Sequence, residues 1–173
     1  MHPSLELIFN QMEESKLHFT DYLAHHAKSI QRTQSASAWS MNQVLEHLVL
    51  VDQQTLIASG KDNPKQRKLG IKSVFYSNLL NLTLSLPVRY RVPDTTNIYP
   101  QARTSDNELL AAWNLNRQKW AVFLNEFPVE KFKLSVFKHP YAGLLTIQQT
   151  LRFLDYHCSH HLFQLKRISS QLN

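Results

Sequence analysis

Apolar residues return at intervals of three, four and seven along most of the chain, as they do in helices with one face turned inward. Leu5, Ile8, Met12, Phe19 and Leu23 mark the first such segment, predicted from Pro3 to about Ile30, with Glu13, Glu14 and Lys16 on other faces. Proline suits its first turn. A polar run over residues 31–38 separates it from a second helix, which Ser40 and Gln43 open as a capping box. Val44, His47, Leu48 and Val51 form one stripe there, so a histidine stands within an apolar face. Ser105 with Glu108 and Thr146 with Gln149 repeat the box. The first of these opens a helix through Leu109, Trp113, Trp120 and Leu124 that stops before Pro128. The second opens the last helix, from about Ile147 to Gln171, with Ile147, Leu151, Leu154, Leu165 and Ile168 inward.

The intervening segments are less regular. IKSVFYSNLLNLTLSL, residues 71–86, is ambiguous: Val74, Leu79, Leu80 and Leu84 permit a helix, while its serines, threonine and asparagines weaken it. Pro87, Pro93 and Pro100 make residues 87–104 extended or irregular, and a long irregular stretch in a compact fold is often functional. After Pro128 comes a short β-like patch with a turn at His139–Gly143. The expectation is an all-α fold, a four-helix bundle with long crossover loops, in a single domain covering residues 1–173.

Composition narrows the choice of function. Only Gly60, Gly70 and Gly143 are glycines, and neither a GxGxxG nor a P-loop pattern occurs, which argues against nucleotide-binding folds. The net charge of +6 invites a nucleic-acid reading. The excess is local, however: Lys61, Lys65, Arg67, Lys68 and Lys72 crowd one stretch. That run reads as a solvated loop or an anion-attracting rim, and no nucleic-acid motif accompanies it. A lone cysteine, Cys158, excludes an intramolecular disulfide and suits a reducing cytosol. No signal-peptide pattern opens the sequence, and no apolar run approaches the roughly 20 residues of a membrane helix. A cytoplasmic chain without membrane or nucleic-acid partners is expected.

The nine histidines carry the candidate chemistry. His157 and His161 lie four residues apart, so on a helix their side chains stand about 40° apart around the axis and one turn along it. Two imidazoles so placed can share an ion, and both continue the stripe of Leu154, Leu165 and Ile168. A buried histidine is more often a hydrogen-bonded core residue, so the pair alone leaves both readings open. His47, on the inward stripe of another helix, supplies a third ligand from where a bundle would place one. Three neutral imidazoles suit zinc, nickel, iron or copper better than calcium or magnesium. They also leave a coordination position for water, as catalytic rather than structural sites do.

The runs WSMNQVLEHL (residues 39–48) and KHPYAGLLTIQQTLRFLDYHCSHHLFQLKRI (residues 138–168) resemble the DinB/YfiT-like superfamily. The HP–G–LT–H–HH–Q succession in the final third is the more specific part. The resemblance spans most of the chain and implies a four-helix bundle with a mononuclear three-histidine site, often nickel or zinc. Carried over by motif, the ligands are His47, His157 and His161. Activities implied include transfer of low-molecular-weight thiols to electrophiles, maleylpyruvate isomerisation and hydrolysis. The expectation is therefore a metal-dependent thiol S-transferase or hydrolase. It would use one divalent transition metal, nickel or zinc ahead of iron or manganese. A small-molecule substrate, such as a low-molecular-weight thiol, and a homodimeric state complete the expectation, with catalytic residues unassigned. The alternative is a non-enzymatic, homodimeric metal-binding module, since no evident general base accompanies the histidines.

Neighbouring residues divide as follows. Gln164, near His161 on the same helix, is either a hydrogen-bond partner of a ligand or a part-exposed glutamine. His160 reads as an ordinary polar residue or a group that supports a ligand, and Glu46, pointing about 100° from His47, as a surface residue or likewise a supporting group. Cys158 reads as a small buried hydrophobe. His139 can approach the pocket from its loop. His2, His18, His25 and His26 belong to the surface or helix edges, and Trp113 and Trp120 to the core.

Overall fold

All three capping boxes close. Ser40 and Gln43 exchange bonds of 2.9 and 3.2 Å, Ser105 and Glu108 bonds of 3.0 and 3.4 Å, and Thr146 and Gln149 bonds of 2.9 and 3.3 Å. They open three of the five α-helices in the computed structural model, which describes residues 1–26, 30, 38–61, 68–69, 71–86 and 97–172, apart from the side chains of 71–73. In order these are α1 (Pro3–His25), α2 (Met41–Ser59), α3 (Ile71–Leu84), α4 (Asp106–Asn125) and α5 (Ile147–Leu172). A hairpin of β1 (Ser135–His139) and β2 (Gly143–Thr146) precedes α5.

The fold is all-α, a four-helix bundle with one helix added at its side. α1 packs along α5, α2 packs against both α4 and α5, and α3 lies on α5 and the hairpin. Leu5, Ile8 and Met12 of α1 meet Trp120, Leu124, Leu145 and Leu151 in one apolar cluster. Phe19 and Leu23 meet Val44, Leu45, Leu48, Trp113, Cys158 and Leu165 in the other. Trp113 and Trp120 are thus core residues, at 1% and 0% exposure.

Two boundaries needed the structure. α1 ends at His25 rather than near Ile30. His26 leaves the helical conformation, and its backbone N–H bonds to the Leu23 carbonyl three residues back at 2.9 Å, a tightened last turn. The ambiguous segment is helical, and its polar residues explain how. Ser77, Thr83 and Ser85 donate their hydroxyls to the carbonyls of Val74, Leu80 and Leu82, so they satisfy themselves within the turn. The stripe read from Val74 and Leu79 is not inward, because both are exposed; Leu84 alone of that set is buried.

The turn after β1 depends on two residues. His139 pairs with Gly143, and Gly143 adopts φ +75°, a left-handed conformation that glycine takes without a steric penalty. Tyr141 and Ala142 donate their backbone N–H groups to His139 Nδ1 at 3.2 and 3.1 Å. The expected polar run at 31–38, the basic loop and the stretch 87–104 fall largely outside the described residues. Residues 97–104 of the last of these are described, and they are non-helical and lie across α2.

Candidate metal centre

α2 contributes one histidine and α5 two. His157 and His161 lie one turn apart, and their Nε2 atoms approach to 3.0 Å. The His47 ring stands nearly perpendicular to both, with centroids 5.2 Å from His157 and 5.0 Å from His161. One nitrogen from each of the three lies within 4.8 Å of the others. Tetrahedral ligands at about 2.0–2.1 Å from zinc sit about 3.3 Å from each other, so a small closure of the rings would complete such a set. His47 and His161 are buried, and His157 keeps partial exposure.

Two of these rings have their tautomer fixed. His47 Nδ1 donates to the backbone carbonyl of Ile98 at 2.7 Å, and His161 Nδ1 donates to Gln164 Oε1 at 2.7 Å. A carbonyl oxygen can only accept, so each Nδ1 carries the proton and each Nε2 keeps its lone pair. Gln164 is therefore a partner of a candidate ligand, the sharper of its two readings. Trp39 lies 5.2 Å from the His47 ring, and Phe153 stacks on His157 at 5.3 Å, so aromatic walls flank the cluster.

Electrostatics disfavour the charged form of all three rings. Burial lowers the pKa of His47, partly offset by the Ile98 carbonyl. His157 and His161 fall well below the usual value, first through burial and then through the neighbouring histidines, while Gln164 opposes the shift at His161. Neutral imidazoles with free lone pairs are what a transition metal requires. The arrangement can therefore hold a metal ion.

Other expectations divide. His160 is buried, with its ring 5.5 Å from His161; burial lowers its pKa against hydrogen bonds to the backbone of Leu86 and Leu84. Phe153 lies between His139 and the cluster, 4.6 Å from the His139 ring and 5.3 Å from that of His157, and His139 is near enough to act on the charge of His157. His2, His18 and His25 are exposed and His26 half-buried at the edges of α1. Cys158 is buried among apolar residues, and burial pushes its thiol up to about 12, as befits a small hydrophobe. Of the five basic residues at 61–72, only the side chains of Lys61 and Lys68 are described. Lys68 lines a cleft with Lys133 and Arg152, and none of the three histidines lines that cleft.

Of the two readings of Glu46, the structure overturns the surface one. It is 6% exposed, and its Oε2 accepts the backbone N–H groups of Gln101 at 3.0 Å and Ala102 at 2.8 Å. Helical angle alone put it on an outer face, but residues 97–104 cover that face. A signal was present: Glu46 is the only charged residue from Met41 to Val51, as in a helix buried on all sides.

Fold and site together define a helical-bundle protein with a buried three-histidine cluster able to hold a metal ion. The chain belongs to the DinB superfamily, whose sequence profile matches residues 4–165. Comparison with curated proteins and with solved structures gives no match. Among the described residues, no helix is long and apolar enough to cross a membrane.

Proposed function

We propose that this chain is a mononuclear metalloenzyme in which His47, His157 and His161 bind one divalent transition metal, nickel or zinc ahead of iron or manganese. The observation that carries the reading is the convergence of three imidazoles, one nitrogen of each within 4.8 Å of the others and two of them with Nδ1 committed to a carbonyl acceptor. When bound, the ion would supply Lewis acidity, its charge uncompensated by three neutral ligands, and so lower the pKa of a water or a low-molecular-weight thiol. The Ile98 carbonyl and the Gln164 side chain orient two ligand rings, and Trp39 and Phe153 flank the pocket with apolar surface. Thiol S-transfer to an electrophile, or hydrolysis of a small molecule, is the reaction class this reading assigns. We place the chain in the cytoplasm on its single buried cysteine, and treat residues 1–173 as one domain.

Elemental analysis of wild type beside His157→Ala tests the reading. One equivalent of a transition metal in wild type, lost in the variant, is the expected result. No metal in wild type after reconstitution with zinc and with nickel overturns it and leaves the histidines as core residues.

A second reading, a non-enzymatic homodimeric module, is favoured by one observation. Val74, Phe75, Tyr76, Leu79 and Leu82 of α3 expose between 44% and 63% of their surface. Homodimerisation belongs to the first reading as well, so sedimentation alone does not separate the two. Small thiols that perturb the spectrum of the cobalt-loaded protein support the enzyme; a coordinatively closed, unresponsive site supports the module.

A further inference from the structure

Two consecutive residues of α2 grip one short stretch of chain. Glu46 Oε2 accepts the N–H groups of Gln101 and Ala102, while the next residue, His47, donates Nδ1–H to the carbonyl of Ile98. Ala102 has φ +55°, the left-handed region that a Cβ disfavours, and it is the only such non-glycine among the described residues. Backbone held in that region persists where its surroundings over-determine it, and here the surrounding group is one carboxylate oxygen. Trp39 meets Tyr99 edge-on at 5.6 Å and Pro100 is buried, so the segment is seated on the start of α2.

The consequence runs to the His47 ring. Its Nε2 keeps a lone pair only while the Ile98 carbonyl holds the proton on Nδ1. The position of that carbonyl is set by how residues 98–102 are fastened, and Glu46 fastens them. We propose that Glu46 is a positioning residue: through the amides of Gln101 and Ala102 it holds the Ile98 carbonyl, which fixes the tautomer and orientation of His47. The effect on metal affinity rests on the reading of His47 as a ligand; the effect on the tautomer does not.

The test compares wild type, Glu46→Ala, Glu46→Gln and Ala102→Pro. Proline removes one of the two amide donors and forbids φ +55°, so it opens the clamp without touching Glu46. Nitrogen-15 NMR of the metal-free proteins reads the His47 tautomer. Expected are a single Nδ1–H form in wild type, a mixture in Glu46→Ala and Ala102→Pro, and recovery in Glu46→Gln, whose amide oxygen still accepts. In the same series, zinc affinity falls about 10–100-fold in Glu46→Ala and Ala102→Pro and returns towards wild type in Glu46→Gln. A Glu46→Ala protein that melts earlier but keeps the wild-type tautomer and zinc affinity overturns the proposal, since Glu46 would then be only structural. Should Glu46→Ala fail to fold, Ala102→Pro decides by the same two readouts. If wild type binds no zinc, the ligand reading fails and the tautomer alone decides the role of Glu46.

Discussion

Gln164 accepts the Nδ1 proton of His161 at 2.7 Å from one turn further along α5, so the helix that presents the imidazole also fixes its tautomer. Removing that acceptor leaves the ring free to rotate and to protonate the wrong nitrogen. Gln164→Ala is expected to weaken zinc binding about 10–100-fold with little change in helicity, as chelator competition would measure. An unchanged affinity would mean that packing alone orients His161.

His139 makes stability depend on pH. Burial lowers its pKa from 6.5 to about 4, so between those values the unfolded chain binds a proton that the folded one refuses. Stability from this group is fully present above pH 6.5 and is lost as pH falls towards 4, by about 3 kcal/mol in all. His47, His157, His160 and His161 shift in the same direction and steepen the loss. Asp52, raised to about 6, and Asp155, also raised, act oppositely. His139→Asn keeps an acceptor for the Tyr141 and Ala142 N–H groups but does not titrate. Urea denaturation of the metal-free variant between pH 4 and 7 should show a visibly shallower slope than wild type.

Arg117 and Asp52 are buried together at 4% and 2% exposure, with Nε 3.6 Å from Oδ1. Arg117→Met alone strands a buried carboxylate and is expected to cost about 3–5 kcal/mol. Arg117→Met with Asp52→Leu removes both charges and should recover most of that loss. A double-mutant cycle by chemical denaturation measures the difference, and simple additivity would show that the two do not interact.

Cys158 should be inert to thiol reagents in the folded protein. Burial pushes its pKa up to about 12, and the thiolate is the reactive form. Ellman's reagent is expected to titrate one thiol per chain in denaturant and almost none without it. Rapid labelling of native protein would mean that α5 opens locally at that point.

Much of this was legible in residue order. Each capping box fixes a helix start through contacts three residues apart, and the starts at Met41, Asp106 and Ile147 follow directly. The i, i+4 spacing of His157 and His161 brings their nitrogens together by helix geometry alone. Local periodicity was less informative for α3, where the segment's own hydroxyls satisfy the backbone and most of its large apolar side chains face outward.

The order of residues by itself determined the helical character, the helix starts and the histidine pair, because these depend on neighbours within a turn or two. Tertiary structure alone decided that the Ile98 carbonyl fixes the His47 ring across a separation of 51 residues, and that the amides held by Glu46 are those of Gln101 and Ala102, 55 and 56 positions away. Backbone amides and carbonyls are the same chemical group at every position. Which one meets a given side chain is set by how the chain packs, and no pattern of side chains marks it in advance.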